Sequence, residues 1–171
     1  MPMERPTEML TPGQIIAKYQ AQAPVDVVAI AKDLGINVWK KSFPDSISGK
    51  IFRDPLNGGF STYSIAVNES HSFVRQRFTV AHEIAHFLLH RPMLESGELI
   101  DDGLYRSGLS SKEETAANRF AADILMPLPL IRKLMDAGIR DPQSLATKLQ
   151  VSLAAMKIRL GLPLGEPEIL P

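Results

Sequence analysis

The segment from Phe73 to His90 constrains this chain more than any other. Phe73, Val80, Ile84, Phe87 and Leu88 recur at helical spacing and form an apolar flank that includes the small Ala81 and Ala85. Such a flank has to be buried, so the spacing predicts a core-packed helix, ended by Arg91-Pro92. The same helix carries His82-Glu83-Ile84-Ala85-His86. Two imidazoles one helical turn apart point the same way and can share a tetrahedral metal ion, and the acid beside the first is placed to polarise a water on that ion. With four His and ten Glu in 171 residues, shuffling the composition would produce this pattern in roughly one sequence in a few hundred. The competing explanation is a helix with two ordinary, half-buried histidines. The apolar back of the helix and the strand before it favour the metal.

A tetrahedral ion that keeps one position open for water needs a third protein donor. Cysteine is absent, which removes thiolate ligands, disulfide scaffolds and cysteine nucleophiles together. His90 lies a further turn along the helix, about 6 Å from His86. A metzincin arrangement would need Gly at 89 and His at 92, where this chain has Leu89 and Pro92. Carboxylates remain, and the most orderly setting is Glu114-Thr115-Ala116-Ala117-Asn118, on a second helix expected from Ser110 or Ser111 to Met126. Glu114 can bind the ion while Asn118, four residues on, accepts a hydrogen bond from the outward N–H of a ligating histidine. Ala117, Ala121 and Ala122 are small enough for the two helices to approach closely. The competing role for Glu114 is a capping box with Ser111. Ser110 and Glu113 form an equally good box, which leaves Glu114 free, and Glu113 is the fallback ligand.

Around these helices the pattern is mixed, and the expected class is α+β. Two helices, Gln14 to Gln22 and Val25 to Leu34, precede any strand, and Gly35 stops the second. Strands are expected at Ile36 to Lys41, Gly49 to Arg53 and Phe60 to Asn68, with Asn57-Gly58-Gly59 supplying positive φ angles for a tight hairpin. The expectation is a small antiparallel three-stranded sheet packed on helices. Pro92 to Ser110 reads as a long loop, in which Tyr105 is a candidate oxyanion donor with simple packing as its competing role. Beyond Pro127 and Pro129, three short helices are expected at Leu130 to Ala137, Pro142 to Gln150 and Ser152 to Leu160. The last two have helix-turn-helix spacing, with Gln150 at the turn position where Gly is usual. Lys148, Lys157 and Arg159 are too few to argue for DNA, so a covering role for this C-terminal helical extension is favoured. The domain reading is a metal-bearing domain over 1–126, the extension over 127–162 and a flexible tail over 163–171.

Charge and hydropathy narrow the setting. Nineteen basic residues balance nineteen acidic ones, so no cationic field drives binding to phosphate backbones. The N-terminal MPMERPTEML has no signal-type apolar core, and no apolar run approaches the roughly 20 residues that span a bilayer. A soluble cytoplasmic protein is expected.

The run QRFTVAHEIAHFLLH (Gln76 to His90), followed by EETAANRFAADILMP (Glu113 to Pro127), resembles the ImmA/IrrE family of bacterial metallopeptidases. The similarity reaches back through Ile65-Ala66-Val67-Asn68 and covers most of residues 25 to 127. It implies a zincin-like fold over the first domain, an active-site helix carrying His82, Glu83 and His86, and a third metal ligand on the following helix, Glu114. Members of that family act on Xre-type helix-turn-helix repressors or antitoxins. The expected function is therefore a metal-dependent endopeptidase acting on such a protein, with Glu83 as general base, Zn2+ as the ion and Mn2+ as its alternative. A substrate would lie extended on an edge strand, for which Phe60 to Asn68 is the expected platform. The alternative is a non-proteolytic regulator or toxin-like partner of an Xre-type protein, with a structural metal. Glu83 argues for the enzyme, because a structural ion needs no base beside it.

Overall fold

The computed structural model describes residues 9–95, 100–101, 106–107 and 111–165. The chain opens with two short helices, α1 (Pro12–Tyr19) and α2 (Val27–Asp33). Thr11 caps α1 in a reciprocal box with Gln14, so the helix starts two residues before the expected Gln14. Asp26 caps α2 through the Ala29 N–H. Gly35 then turns the chain with φ +81°.

Three strands follow, β1 (Ile36–Lys41), β2 (Gly49–Arg53) and β3 (Tyr63–Asn68). The first two have the expected limits, and the third begins three residues later than expected. Their order in space is β1-β3-β2. β2 pairs antiparallel with β3 (Ile51 opposite Ile65), whereas β1 pairs parallel with β3 (Val38 opposite Ile65). The sheet is thus mixed, which corrects the all-antiparallel expectation. The chain reverses between β1 and β2 and again before β3, so β1 and β3 run the same way and meet as neighbours. Every residue of β3 is buried. A central strand has no open edge, so the expected substrate platform on Phe60 to Asn68 is corrected as well; the edges belong to β1 and β2.

The β2–β3 connection is not the tight hairpin that Asn57-Gly58-Gly59 suggested. It spans residues 54–62, closed by the Asp54 N–H donating to the Thr62 carbonyl at 2.7 Å. The positive φ falls on Thr62 (φ 62°) rather than on the glycines. Gly59 is needed for another reason: a Cβ there would overlap the Gly35 carbonyl. That carbonyl accepts from both the N–H (3.1 Å) and the hydroxyl (2.6 Å) of Ser61, tying the loop to the end of α2.

The long helix α3 (Phe73–Leu89) is capped by Ser72 through the Arg75 N–H and ends at His90. Gln76 donates to the Asn68 carbonyl at 2.9 Å and thereby sets α3 against the end of β3. A short helix, α4 (Arg91–Glu95), and a two-residue pair, β4 (Ile100–Asp101) with β5 (Arg106–Ser107), occupy the segment read as a loop. Then come α5 (Ser111–Leu125), α6 (Leu128–Asp136), α7 (Pro142–Leu149) and α8 (Leu153–Arg159). Pro129 sits in the first turn of α6, where a missing N–H costs nothing, so the helix starts earlier than expected. Gln150 takes the left-handed conformation (φ 53°) in the turn between α7 and α8, the geometry for which Gly is usual.

One apolar core runs from Ile15 and Ile16 in α1 through Ile65 in β3 and Ile84 in α3 to Leu149 and Met156 in the last two helices. The buried Arg77 side chain joins α3 to this C-terminal part, donating to the carbonyls of Val25 (2.8 Å), Leu149 (3.3 Å) and Gln150 (3.1 Å). Among the described residues, no helix is long and apolar enough to cross a membrane.

Candidate metal centre

Helices α3 and α5 lie against each other, and small residues are the reason. Ala81 and Ala85 of α3 and Ala117 and Ala121 of α5 are buried, with no bulk to hold the axes apart. The approach brings His82, His86 and Glu114 together, each offering a donor atom, all within 4.8 Å of one another. The Nε2 atoms of His82 and His86 are 3.0 Å apart. One Glu114 oxygen lies 3.1 Å from Nε2 of His82, and the other lies 3.2 Å from Nε2 of His86. A tetrahedral ion with bonds of about 2.0–2.1 Å separates its ligands by about 3.3–3.4 Å, close to each of these contacts, so the two Nε2 atoms with either Glu114 oxygen could hold one such ion after a small adjustment. Two imidazoles and one carboxylate also form a complete donor set for an ion that keeps its fourth position open. His86 is fully buried, and His82 and Glu114 are partly exposed, which leaves one side of the donor set open to solvent.

Electrostatics agree with the geometry. Burial is the strongest single influence on Glu114 and opposes its ionisation. Hydrogen bonds from His82 and His86, with the charge of those rings, together outweigh it and hold the carboxyl well below the usual carboxylate range. Glu114 also lies in the first turn of α5, where the helix dipole favours an anion. Because α5 begins at Ser111, that residue is inside the helix and is not the cap that would have engaged Glu114. Ser110, Tyr105, residues 1–8 and the tail from 166 lie outside the described residues. Glu83, next to His82, is 1% exposed. A carboxylate at that depth is kept only where its surroundings offset its desolvation.

Asn118 does not take the orienting role expected of it. It is exposed and, among the described residues, makes no hydrogen bond to either ring; it lies one turn along α5, on the wall of a neighbouring cavity. The partner of His86 is on its own helix: Nδ1 of His90 lies 2.9 Å from Nδ1 of His86. His90 was set aside as too far along to be a ligand, and that same one-turn offset is what puts it behind His86. The repeated i, i+4 spacing of His82, His86 and His90 was the available signal. Nδ1 of His82 is buried and has no hydrogen-bond partner among the described residues.

Comparison with known proteins decides the family. The family model for peptidase M78, described as the IrrE N-terminal-like domain, matches residues 31–161, which include the sheet, the metal centre and α8. The chain belongs to the M78 family. Among solved structures, this M78 domain is similar to a Mycobacterium tuberculosis transcriptional regulator, with a TM-score of 0.59 at 16% identity. The match covers 88% of this chain and 46% of that one, so the M78 domain spans about half the length of that structure. The likeness establishes a shared fold. No curated protein sequence matches the chain. Within a peptidase family, a triangle of metal donors beside a buried acid has a direct chemical meaning.

Proposed function

We propose that this M78 domain is a metal-dependent endopeptidase in which His82, His86 and Glu114 hold the ion and Glu83 is the general base. The observation that carries the proposal is the meeting of three donor side chains from two helices, the two Nε2 atoms 3.0 Å apart and each within 3.2 Å of a Glu114 oxygen, next to a buried glutamate. A divalent ion held there supplies Lewis acidity, which polarises a peptide carbonyl and makes water acidic enough to attack. Zinc suits the donor set, and manganese is the alternative.

The protein's own groups divide the remaining work. Glu83 takes the proton of the attacking water and returns it to the leaving amine, so no covalent acyl-enzyme forms. His86 must present a lone pair at Nε2, which places its proton on Nδ1. At 2.9 Å, Nδ1 of His90 is then the acceptor, and it fixes both the tautomer and the plane of the His86 ring. Of the two edge strands, β2 packs on α3 and β1 on α2, so β2 (Gly49–Arg53) is the edge that can receive an extended substrate by strand addition.

The substrate we infer is an Xre-type helix-turn-helix repressor or antitoxin, the target implied by the ImmA/IrrE resemblance. The description of the fold neighbour as a transcriptional regulator accords with that setting. The test is to incubate metal-loaded protein and its Glu83→Gln variant with Xre-type proteins from the same genome, starting with any encoded next to it. The variant is expected to keep its metal and to lose roughly 10²–10⁴ in cleavage rate. If wild type and variant both bind the partner without cutting it, sequestration replaces proteolysis as the function.

A further inference from the structure

A cavity of about 530 Å³ opens beside the metal centre, between α3, α5 and α8. The three donors are not among its lining residues, but Phe78, on its wall, stacks on the His82 ring with centroids 6.4 Å apart, and Thr115, also on its wall, directly follows Glu114. From there it follows one face of α5 through Asn118 and Ala122 and ends against Ala155 and Ile158 of α8. Its volume lies within the range of about 300–1,000 Å³ seen for cavities that take organic ligands. Its lining is mainly apolar, with Thr115, Asn118, Arg119 and Arg159 as the polar members. Ile158, although 66% exposed, faces into this space and has no covering element among the described residues. The outer wall is held in place: Arg159 of α8 pairs with Asp123 of α5 at 2.7 Å and donates to the Met126 carbonyl at 2.9 Å.

We propose that this cavity is a specificity subsite that takes a medium or large apolar side chain, of the Leu, Met or Phe kind, from a substrate residue near the scissile bond. The proposal rests on the peptidase reading and gives the C-terminal helices a function, with α8 as the selecting wall. The occupant follows from position. A peptide whose carbonyl sits at the three donors can send a neighbouring side chain past Phe78 and Thr115 into a space whose walls are mostly apolar. A cationic side chain would lose its hydration against Phe78, Ala122 and Ile158 and would meet like charge on Arg119 and Arg159, which also line the cavity. Ala122 and Ala155 are the positions whose small size keeps the space open.

The test separates binding from turnover. The Glu83→Gln protein, zinc-loaded and carrying 13C-labelled Ala, Ile and Met methyls, is titrated with acetyl-Ala-Leu-Ala-amide, its Phe counterpart and its Lys counterpart. The Leu and Phe peptides are expected to move the Ala122, Ala155, Ile158 and Met126 methyl signals saturably, and the Lys peptide to leave them in place. Ile158→Asp, at an exposed position, is expected to keep fold and metal while weakening the Leu peptide about tenfold or more. In the active protein, Ala155→Phe is expected to shift cleavage toward smaller side chains by a similar factor. Moving methyls in a chain that cuts nothing would sink the peptidase reading and leave the subsite standing. Cleavage with unmoved methyls, or with a side-chain preference unchanged by both variants, would overturn the subsite alone. Dimerisation that Ile158→Asp abolishes would assign the cavity to a second copy of the chain and overturn the proposal.

Discussion

Replacing Arg77 by methionine is expected to destabilise the fold by about 3–5 kcal/mol. Arg77 is buried on α3, and its guanidinium donates to three carbonyls, those of Val25, Leu149 and Gln150. Two of these belong to the last turn and cap of α7, whose carbonyls have no intrahelical partner and where a cation is favoured by the helix dipole. Three hydrogen bonds from a charged donor, at roughly 1.5–3 kcal/mol each, amount to roughly 4.5–9 kcal/mol. Against this stands the desolvation of the guanidinium, several kcal/mol, which the substitution relieves. Burial is also what lowers the Arg77 pKa, with Asp26 opposing it. The net of about 3–5 kcal/mol corresponds to a fall in Tm of roughly 6–20 °C for a chain of this size. Urea unfolding at constant m-value measures it directly. Arg77→Lys, with its point charge in place of a planar fork, should recover only part of the loss. A loss below about 1 kcal/mol for Arg77→Met would refute the view that this side chain joins the C-terminal helices to the metal-bearing helix.

Other consequences are open to simpler measurements. His90→Ala should lower metal affinity about 10–100-fold by releasing the His86 ring, and His90→Asn, which retains an acceptor, should lose less; equal affinities by competitive chelation would remove His90 from the account. In metal-free protein the depressed Glu114 pKa adds stability that is fully present above the unfolded value of about 4.5 and is lost as pH falls through the lower folded value. Wild type should therefore lose stability more steeply than Glu114→Gln on acidification below that point, and parallel pH profiles by thermal unfolding would contradict it. Gly59→Ala should cost about 1–3 kcal/mol in chemical unfolding, since its Cβ would overlap the Gly35 carbonyl and strain a backbone contact. An unchanged midpoint would show that the loop yields.

Much of this architecture was legible in local pattern. Helix α3 could be read because its apolar flank, its Ser72 cap and the Arg91-Pro92 stop are all local signals, and β1 and β2 because alternation and flanking turns mark short strands. What could not be read was set by contacts distant in sequence. Strand order β1-β3-β2 depends on which strand is covered on both faces, and the full burial of Ser64 and Asn68 comes from neighbours that no local window contains. The glycines at 58 and 59 suggested a backbone conformation, whereas at Gly59 the structure requires close approach of another chain segment. At the metal centre, the pairing of His82 with His86 is a property of helix periodicity. The choice of Glu114 over Glu113 needed the packing of α5 on α3, which small residues at Ala117 and Ala121 hinted at. Asn118 was misassigned because a shared helical face does not guarantee a shared neighbour: one turn of rise takes it from the rings to the wall of the adjoining cavity.

The central claim is that one divalent ion is held by two imidazoles of α3 and one carboxylate of α5. X-ray absorption at the zinc edge, on protein loaded with one equivalent, tests it most directly. The account predicts one ion per chain with about four light-atom scatterers near 2.0–2.1 Å, two of them with the outer-shell signature of imidazole, and loss of that signature in a His82→Ala, His86→Ala double variant. An ion that binds equally well to the double variant and to Glu114→Ala, or a wild-type chain that takes up none, would contradict it.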